Sequence, residues 1–349
     1  MIKKHIIQNS ENIKRALNLL NELTYDSNAP LVLLVLNEAQ QLVGTVTDGD
    51  IRRGLMQQSN ADSIVEELMN KSFHFLQKDN YSVANLNELK AKGIWSVPLL
   101  DHDNHVLDIL NLKVQKSKLP LDALIMAGGK GQRLLLLTKN VPKPMLLLGG
   151  KPIIETNIDR LIKYGIENIH VSINYLGDVI TTYFDTKEKT CRLNYVRETE
   201  PLGTIGSISL IEKFENDYIL LMNSDLLTDI DFEDLFNELL VNNADMIVAS
   251  IPHRVAIPYA VFETEGREVK KLTEKPTYTY HSNAGIYVFK KECLKYIPKN
   301  THYNATDFIE EMIKNNHKVV YYDVVSYWLD IGSPEDFKKA QTDYLHLNL

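Results

Sequence analysis

From residue 121 onward, short apolar runs alternate with amphipathic stretches, a pattern typical of proteins that alternate strands and helices. The runs DALIMA, NIHVSI, RLNYV, DYILLMN and DMIVAS predict strands, and IIETNIDRLIKYG (153–165) predicts an amphipathic helix that ends at Gly165. From about residue 258 the strand patterns YAVFET, EVKKLTE and NAGIYVF follow one another closely, which indicates an antiparallel addition. DFIEEMIKNN and SPEDFKKAQTDYL predict the closing helices. The pattern favours an α/β, doubly wound domain with a mixed sheet.

The first 113 residues show a different pattern, which occurs twice. ENIKRALNLLNEL (11–23) predicts a helix, PLVLLVLN and QLVGTVTD predict strands, and DIRRGLMQ predicts a second helix. SVANLNELKAKG (82–93) and SVPLLDHDNHVLDIL (96–110) repeat the helix, strand, turn, strand order. The polar, lysine-rich segment VQKSKLP (114–120) separates this repeat from the later part, and we place a domain boundary there.

Composition narrows the choice of partners and compartment. The chain has 349 residues and a net charge of -8, so nucleic acid and anionic membranes are disfavoured as partners. Cys191 and Cys293 are too few for a disulfide framework or a zinc site. The N-terminus lacks the apolar core of a signal peptide, and the longest apolar runs, such as LVLLVL, are far shorter than a membrane span. We expect a soluble, cytoplasmic protein.

The candidate chemistry begins directly after DALIMA, in the segment MAGGKGQRL (126–134). In open α/β sheets, ligands bind beyond the carboxyl ends of strands. Gly128, Gly129 and Gly131 allow backbone N–H groups to approach an anion. The Walker A pattern fails here, and the dinucleotide fingerprint would need a third glycine where Leu134 stands.

The loop instead carries the G-G-x-G-x-R-L…K-P signature of the sugar-1-phosphate nucleotidyltransferases, which the chain resembles over residues 122–345. VPKPM, GGKPI, EPLGT, NSD, EKP, NAG and WLDIG follow in the order of that family. The resemblance implies a Rossmann-like nucleotidyltransferase domain over 121–349. It also implies the reaction: a sugar-1-phosphate oxygen attacks the α-phosphorus of a nucleoside triphosphate, and the products are a nucleotide sugar and pyrophosphate.

The resemblance also assigns roles to residues. Catalysis falls to Arg133, Lys143, Asp225 and Lys275, and Mg²⁺ is held by Asp225 and Asp330. The nucleotide is bound by Ala127, Gly128, Gly129, Gly131, Gln132, Arg133, Lys143, Glu200, Gly203 and Thr204. The sugar phosphate is bound by Glu274, Lys275, Asn283, Gly285, Tyr259 and Ala260. Within this set, Glu200 is our candidate acceptor for guanine, and Gly203 and Thr204 are expected to open a helix.

Four positions depart from the family pattern. Leu136 and Leu147 replace loop prolines, which loosens the loops without removing a reacting group. Gln132 replaces the usual Thr or Ser beside the nucleotide, and Ala260 replaces a glycine near the sugar. These departures bear on substrate choice more than on reaction type.

Residues 1–116 resemble a pair of CBS motifs (a Bateman module). GTVTDGDIRR carries the G-x-x-T-x-x-D pattern at Gly44, Thr47 and Asp50, and the second copy lacks it. In that family Thr47 would bind a phosphate and Asp50 a ribose, so the pair would take a regulatory nucleotide. The alternatives are that Thr47 and Asp50 only cap the following helix, or that the pair only assembles a homodimer or higher homo-oligomer.

A CBS pair ahead of such a domain resembles the guanylyltransferases of bacterial surface-glycan pathways. That resemblance favours GTP with glucosamine-1-phosphate or mannose-1-phosphate. UTP, dTTP or CTP with another sugar phosphate is an alternative, as is a catalytically retired protein that only senses nucleotides. The retained Arg133, Lys143, Asp225, Lys275 and Asp330 favour an active enzyme.

Overall fold

The computed structural model describes residues 2–26, 29–57, 60–78, 81, 83–187 and 191–347. The chain forms two compact units, Met1–Lys118 and Leu119–Leu349. Within the described ranges, no helix has both the length and the apolar character needed to cross a membrane.

The N-terminal unit is built from two similar halves. In the first half β1 pairs in parallel with β2, and β2 pairs antiparallel with β3; β4, β5 and β6 repeat these directions. The two halves thus share strand order and direction, as the internal repeat predicts. The elements are β1 (Ile6–Gln8), α1 (Ile13–Leu23), β2 (Leu33–Leu36), β3 (Leu42–Val46), α2 (Asp48–Met56), β4 (Leu76–Gln77), α3 (Val83–Ala91), β5 (Ser96–Leu100) and β6 (Val106–Asn111), with 3₁₀ turns at Ile2–His5 and Val65–Glu67.

Thr47 and Asp50 cap helix α2. The Thr47 hydroxyl accepts a hydrogen bond from the Asp50 N–H at 3.3 Å, and the Asp50 carboxylate accepts one from the Thr47 N–H at 2.8 Å. Arg53 forms an ion pair with the other oxygen of Asp50. This reciprocal pattern is a capping box. Thr47 and Asp50 therefore cap α2, and their nucleotide-binding role stays a prediction.

The C-terminal unit contains a long series of strands and helices. In order these are β7 (Leu121–Met126), α4 (Leu135–Thr138), β8 (Leu147–Leu148), β9 (Lys151–Pro152), α5 (Ile153–Lys163), β10 (Asn168–Ile173), α6 (Gly177–Asp185), β11 (Arg192–Arg197), β12 (Tyr218–Asn223), β13 (Leu226–Thr228), α7 (Phe232–Val241), β14 (Met246–Ala256), β15 (Val261–Glu265), β16 (Glu268–Thr273), β17 (Thr277–Lys290), α8 (Ala305–Lys314), β18 (Val319–Asp323), β19 (Trp328–Asp330) and α9 (Pro334–Asp343). Short 3₁₀ turns lie at Gln132–Leu134, Lys143–Met145, Gly206–Leu210, Lys291–Tyr296 and Tyr344–His346.

A seven-stranded sheet organises this unit, in the order β11-β10-β7-β12-β17-β14-β18. The pairs of β7 with β10 and β12 are parallel, as are β10 with β11 and β14 with β18, whereas β17 is antiparallel to both of its neighbours. Every residue of β10 is buried, as expected for a central strand of a parallel sheet. The predicted α/β mixed sheet is confirmed.

The order of the strands creates a switch point next to β7. The chain continues from β7 to β10 on one side, whereas β12 comes back to the other side. At such a point the loops at the carboxyl ends of the two strands diverge and leave a crevice, where ligands bind in open α/β sheets. The glycine loop follows β7, so the fold places it at this crevice.

Candidate active site

The carboxyl ends of β7 and β12 bring the glycine loop and Asp225 together. Met126 at the end of β7 lies opposite Asn223 at the end of β12. The next residues therefore emerge at one edge of the sheet. Gly131 has φ +59°, and a Cβ there would lie 3.2 Å from the Cβ of Lys143. Glycine is needed at this position because the backbone is left-handed and the second loop approaches closely.

A cavity of about 620 Å³ lies at this edge. Seven residues with predicted roles line it: Gly128, Gly129, Gly131, Gln132, Arg133, Lys143 and Asp225. The rest of the lining is Met126, Lys130, Leu134, Pro144, Asn174, Pro201, Ser224 and Gly332. Ala127 is buried just behind the loop, and its N–H donates to the Ser172 carbonyl at 2.9 Å. The structure thus assembles most of the predicted nucleotide residues around one opening.

Asp330 comes from the far end of the chain and reaches Asp225 through a short antiparallel pair. Strand β19 pairs with β13, with Asp330 opposite Leu226. The Ile331 N–H also donates to the Asp225 carbonyl at 3.1 Å. This pairing places the two carboxylates, which are about a hundred residues apart in sequence, side by side.

Two cations lie against these carboxylates. Lys143 forms an ion pair with Asp225, and its Nζ lies 3.8 Å from Asp330 Oδ1. The Arg133 guanidinium lies beside Gly332, where a Cβ would be 3.2 Å from its Nη1. The four charged residues that the resemblance assigned to triphosphate and metal are therefore neighbours.

The acidic pair has unused coordination capacity. Among the residues that the structure describes, Asp225 Oδ1 and Asp330 Oδ1 are buried oxygen atoms without a hydrogen-bond donor. Burial and the nearby charge of Asp225 raise the pKa of Asp330, as expected for two carboxylates that share a site. Such oxygen atoms fit a hard divalent cation like Mg²⁺, which takes one or two carboxylates together with substrate phosphates.

A buried glutamate, which sequence reasoning missed, lies beneath the glycine loop. Glu198 follows β11 and is 6% exposed, and its carboxylate accepts hydrogen bonds from the Ser172 hydroxyl and, at 2.9 Å, from the Leu202 N–H. A Cβ on Gly128 would lie 3.0 Å from Glu198 Oε1. The rule that identified the glycine loop, a polar group at the carboxyl end of a parallel strand, would also have identified Glu198.

The other residues that the sequence analysis predicts near the nucleotide base lie outside the cavity lining. Glu200 is exposed, and neither it, Gly203 nor Thr204 lines the cavity. The prediction that Gly203 and Thr204 open a helix is wrong: a short 3₁₀ turn starts at Gly206. Gly203 has φ +81° and packs against the Tyr303 carbonyl, while the Thr204 hydroxyl accepts from the Ala305 N–H at 2.9 Å. Both residues hold the start of α8 in place.

Of the predicted sugar-phosphate residues, Gly285 packs against Asn223 at the end of β12. Strand β17 runs past the end of β12, and a Cβ on Gly285 would lie 2.6 Å from the amide nitrogen of Asn223. Asn283 is exposed and its side chain accepts from the Gly285 N–H at 2.9 Å. Both residues sit where β17 passes the carboxyl edge of the sheet.

The remaining sugar-phosphate candidates lie in loops around the β15–β16 hairpin. Glu274 and Lys275 connect β16 to β17, and Tyr259 and Ala260 connect β14 to β15; all four are exposed and outside the cavity lining. Lys275 has φ +43°, an uncommon value for a residue other than glycine. Their contact with a sugar phosphate stays a prediction.

The C-terminal part of the chain is similar to known nucleotidyltransferases. The family described as "Nucleotidyl transferase" matches residues 122–346. The D-glycero-alpha-D-manno-heptose 1-phosphate guanylyltransferase of Aneurinibacillus thermoaerophilus is 31% identical over 236 residues, which cover 65% of this chain and 99% of that protein. The mannose-1-phosphate guanylyltransferase of Mycobacterium tuberculosis is 34% identical over 233 residues, or 64% of each protein. The chain thus spans less than two thirds of the latter's length.

Among solved structures, HddC from Yersinia pseudotuberculosis is similar, with a TM-score of 0.51 and 24% identity over 64% of this chain and 99% of that one. This likeness concerns the fold of the C-terminal part. The matched segment contains the glycine loop with Arg133, the turn with Lys143, and the carboxylates of Asp225 and Asp330. The family model matches about two thirds of the chain, and the matched residues include the charged groups at the switch-point cavity. The chain therefore belongs to the nucleotidyl transferase family.

Proposed function

We propose that this protein transfers the nucleotidyl group of GTP to a sugar-1-phosphate. The observation that carries the proposal is the group of charged side chains at the glycine-loop cavity. Arg133, Lys143 and Asp225 line it, and Asp330 lies beside Lys143. Among the described residues, Asp225 Oδ1 and Asp330 Oδ1 have no hydrogen-bond donor. The guanylyltransferase relatives support GTP as the nucleotide. Glucosamine-1-phosphate and mannose-1-phosphate are the expected sugars, and a bacterial surface glycan is the expected destination.

The reaction makes one phosphorus–oxygen bond and breaks another. A phosphate oxygen of the sugar-1-phosphate bonds to the α-phosphorus of GTP, and the bond to the β-phosphate oxygen breaks, so that pyrophosphate leaves with the electron pair. Because the nucleophile is already an anion, the protein has to align the groups and neutralise charge. Glycine-loop N–H groups, Arg133 and Lys143 would hold the triphosphate, and Lys275 would hold the sugar phosphate.

Asp225 and Asp330 would hold Mg²⁺. When bound, the ion polarises the α-phosphate and stabilises the pyrophosphate leaving group. Lys143 contacts Asp225 directly, so this cation balances the acidic pair and remains next to the phosphates. Asp330, whose pKa burial raises, would be driven to its charged form by a neighbouring divalent ion.

Pyrophosphate release tests the proposal. Purified protein with Mg²⁺ would be offered GTP, UTP, CTP or dTTP against glucosamine-, glucose-, mannose- and D-glycero-α-D-manno-heptose 1-phosphate. We expect turnover with GTP and one of these sugars. Preferred turnover with UTP, dTTP or CTP would contradict the choice of base. If no pair of substrates releases pyrophosphate but the protein still binds nucleotide, the result would support the alternative of a catalytically inactive protein that senses nucleotides.

We further propose that the N-terminal unit, which resembles a CBS pair, binds a regulatory nucleotide. A cavity of about 500 Å³ lies within this unit, and its lining includes Thr47, His74, Trp95 and Lys113. The Trp95 face for a base, and the Thr47 hydroxyl and the Lys113 ammonium group for a phosphate, suit a nucleotide. Asp50 does not line this cavity, and its carboxylate is bound by the Thr47 N–H and by Arg53, so the proposed site rests on Thr47 and not on Asp50.

Tryptophan fluorescence tests the regulatory site. Trp95 and Trp328 are the two tryptophans of the chain, and Trp328→Phe isolates the signal of the N-terminal cavity. We expect AMP, ATP or GTP to quench Trp95 with a Kd below about 1 mM, and Thr47→Val to weaken this binding. An unquenched Trp95 in a protein that sediments as a homo-oligomer would support assembly as the role of the unit.

A further inference from the structure

Three successive carbonyl groups around Asp225 are held by hydrogen bonds. The side-chain amide of Asn157 donates to the Leu226 carbonyl at 3.0 Å and to the Ser224 carbonyl at 3.4 Å. The carbonyl of Asp225 itself accepts from the Ile331 N–H. Asn157 is 3% exposed and lies in α5. One buried amide therefore bridges the carbonyls of the residues immediately before and after Asp225, and Ile331 holds the carbonyl between them.

Helix α5 packs against the segments that carry Asp225 and Lys143. It packs against β13, which begins directly after Asp225, and against the 3₁₀ turn Lys143–Met145. The Oδ1 atom of Asp225 has no hydrogen-bond donor among the described residues. The direction of this carboxylate is thus set by its backbone and by Lys143 alone.

We infer that Asn157 is a positioning residue for the metal-binding carboxylate of Asp225, an inference that rests on the metal role proposed above. By holding the carbonyls on both sides, the amide fixes the backbone dihedral angles from which the Asp225 side chain projects. Without it, the turn between β12 and β13 can rotate, and the oxygen atoms no longer present the geometry that Mg²⁺ requires. Groups that orient metal ligands in this way change metal affinity by about 10- to 100-fold.

Metal binding measured apart from turnover provides the test. Mn²⁺ would be titrated into the full chain with a non-hydrolysable GTP analogue, and free Mn²⁺ followed by electron paramagnetic resonance. We expect Asn157→Ala to raise the Kd for Mn²⁺ about ten-fold. The Mg²⁺ concentration for half-maximal turnover should rise in parallel, while KM for the sugar-1-phosphate stays within about two-fold.

Asn168→Ala is the matched control. Asn168 is also a buried amide of the C-terminal unit and donates to Asp122 at 3.1 Å, but it starts β10 at the amino edge of the sheet. It should lower thermal stability to a similar degree and leave Mn²⁺ affinity unchanged. If Asn157→Ala does not fold, Asn157→Leu keeps the side-chain volume and removes the same donors.

The outcomes separate the inference from the function on which it rests. Unchanged Mn²⁺ affinity in folded Asn157→Ala and Asn157→Leu proteins would overturn the inference if Asp225→Asn weakens binding in the same assay. If Asp225→Asn also binds Mn²⁺ normally, the proposed metal role fails and the inference fails with it. Weakened binding in both Asn157 variants but not in Asn168→Ala supports the positioning role.

Discussion

Replacing Asp225 by asparagine should lower turnover by at least about 10³-fold, a loss of roughly 4 kcal/mol of transition-state stabilisation. Asparagine has the shape of aspartate but no charge, so it binds a divalent cation far more weakly. Lys143 would lose the ion partner that orients it. Both effects act on the phosphates, where charge develops as pyrophosphate leaves. Initial rates of pyrophosphate release with GTP and the preferred sugar phosphate measure the effect.

Asp231→Asn provides the control for this prediction. Asp231 caps α7 and accepts from the N–H groups of Glu233 and Asp234, and asparagine is an equally good cap. This variant should keep the rate within about two-fold, because it touches no group of the cavity. If Asp225→Asn retains more than a tenth of the wild-type rate while folded, Asp225 cannot be a principal ligand of the metal.

Glu198→Gln should raise KM for GTP by about 10- to 100-fold and reduce the preference for GTP over the other nucleotides. Guanine presents two N–H donors at its N1 and N2 positions, and a buried carboxylate is their natural acceptor. We propose Glu198 for this role because its Oε1 lies directly beneath Gly128. Glutamine turns one acceptor into a donor, so a guanine N–H would face an N–H. A mismatch between buried polar groups costs about 1–3 kcal/mol.

Glu200→Gln separates the two candidate acceptors for guanine. Glu200 is exposed, whereas Glu198 is buried next to Gly128, so this substitution should leave KM for GTP unchanged within about two-fold. The opposite result, with GTP selectivity lost in Glu200→Gln and kept in Glu198→Gln, would return the role to Glu200. Thermal melting of both proteins shows whether Glu198→Gln acts only by loosening the Ser172 and Leu202 contacts.

Much of the site could be predicted from the sequence because its signals are local. A glycine loop after an apolar strand, and an aspartate after DYILLMN, both sit at strand ends, and parallel strands bring such ends to one edge. Apolar periodicity likewise predicted most strands and the repeat in the N-terminal unit. These features depend on residues that are close in the chain.

The wrong prediction of a helix start at Gly203 shows what a local sequence pattern cannot reveal. The sequence analysis predicts a helix start at Gly203 and Thr204, yet the Gly203 backbone makes close contact with Tyr303, a residue a hundred positions later. A Cβ at position 203 would clash with the Tyr303 carbonyl, a constraint that the neighbouring residues in the sequence do not reveal. Thr47 and Asp50 show the reverse: the local sequence pattern predicts the capping box that they form in the structure.

The sequence by itself determined the elements, the mixed α/β class and the types of charged residue that a phosphoryl-transfer site needs. Only the tertiary structure decided which of them meet. The pairing of β13 with β19 brings Asp330 to Asp225, Glu198 is buried beneath the glycine loop, and Asn157 reaches the Asp225 turn from a separate helix. These contacts join residues far apart in the chain, and their geometry follows from strand order and helix packing, which no local pattern encodes.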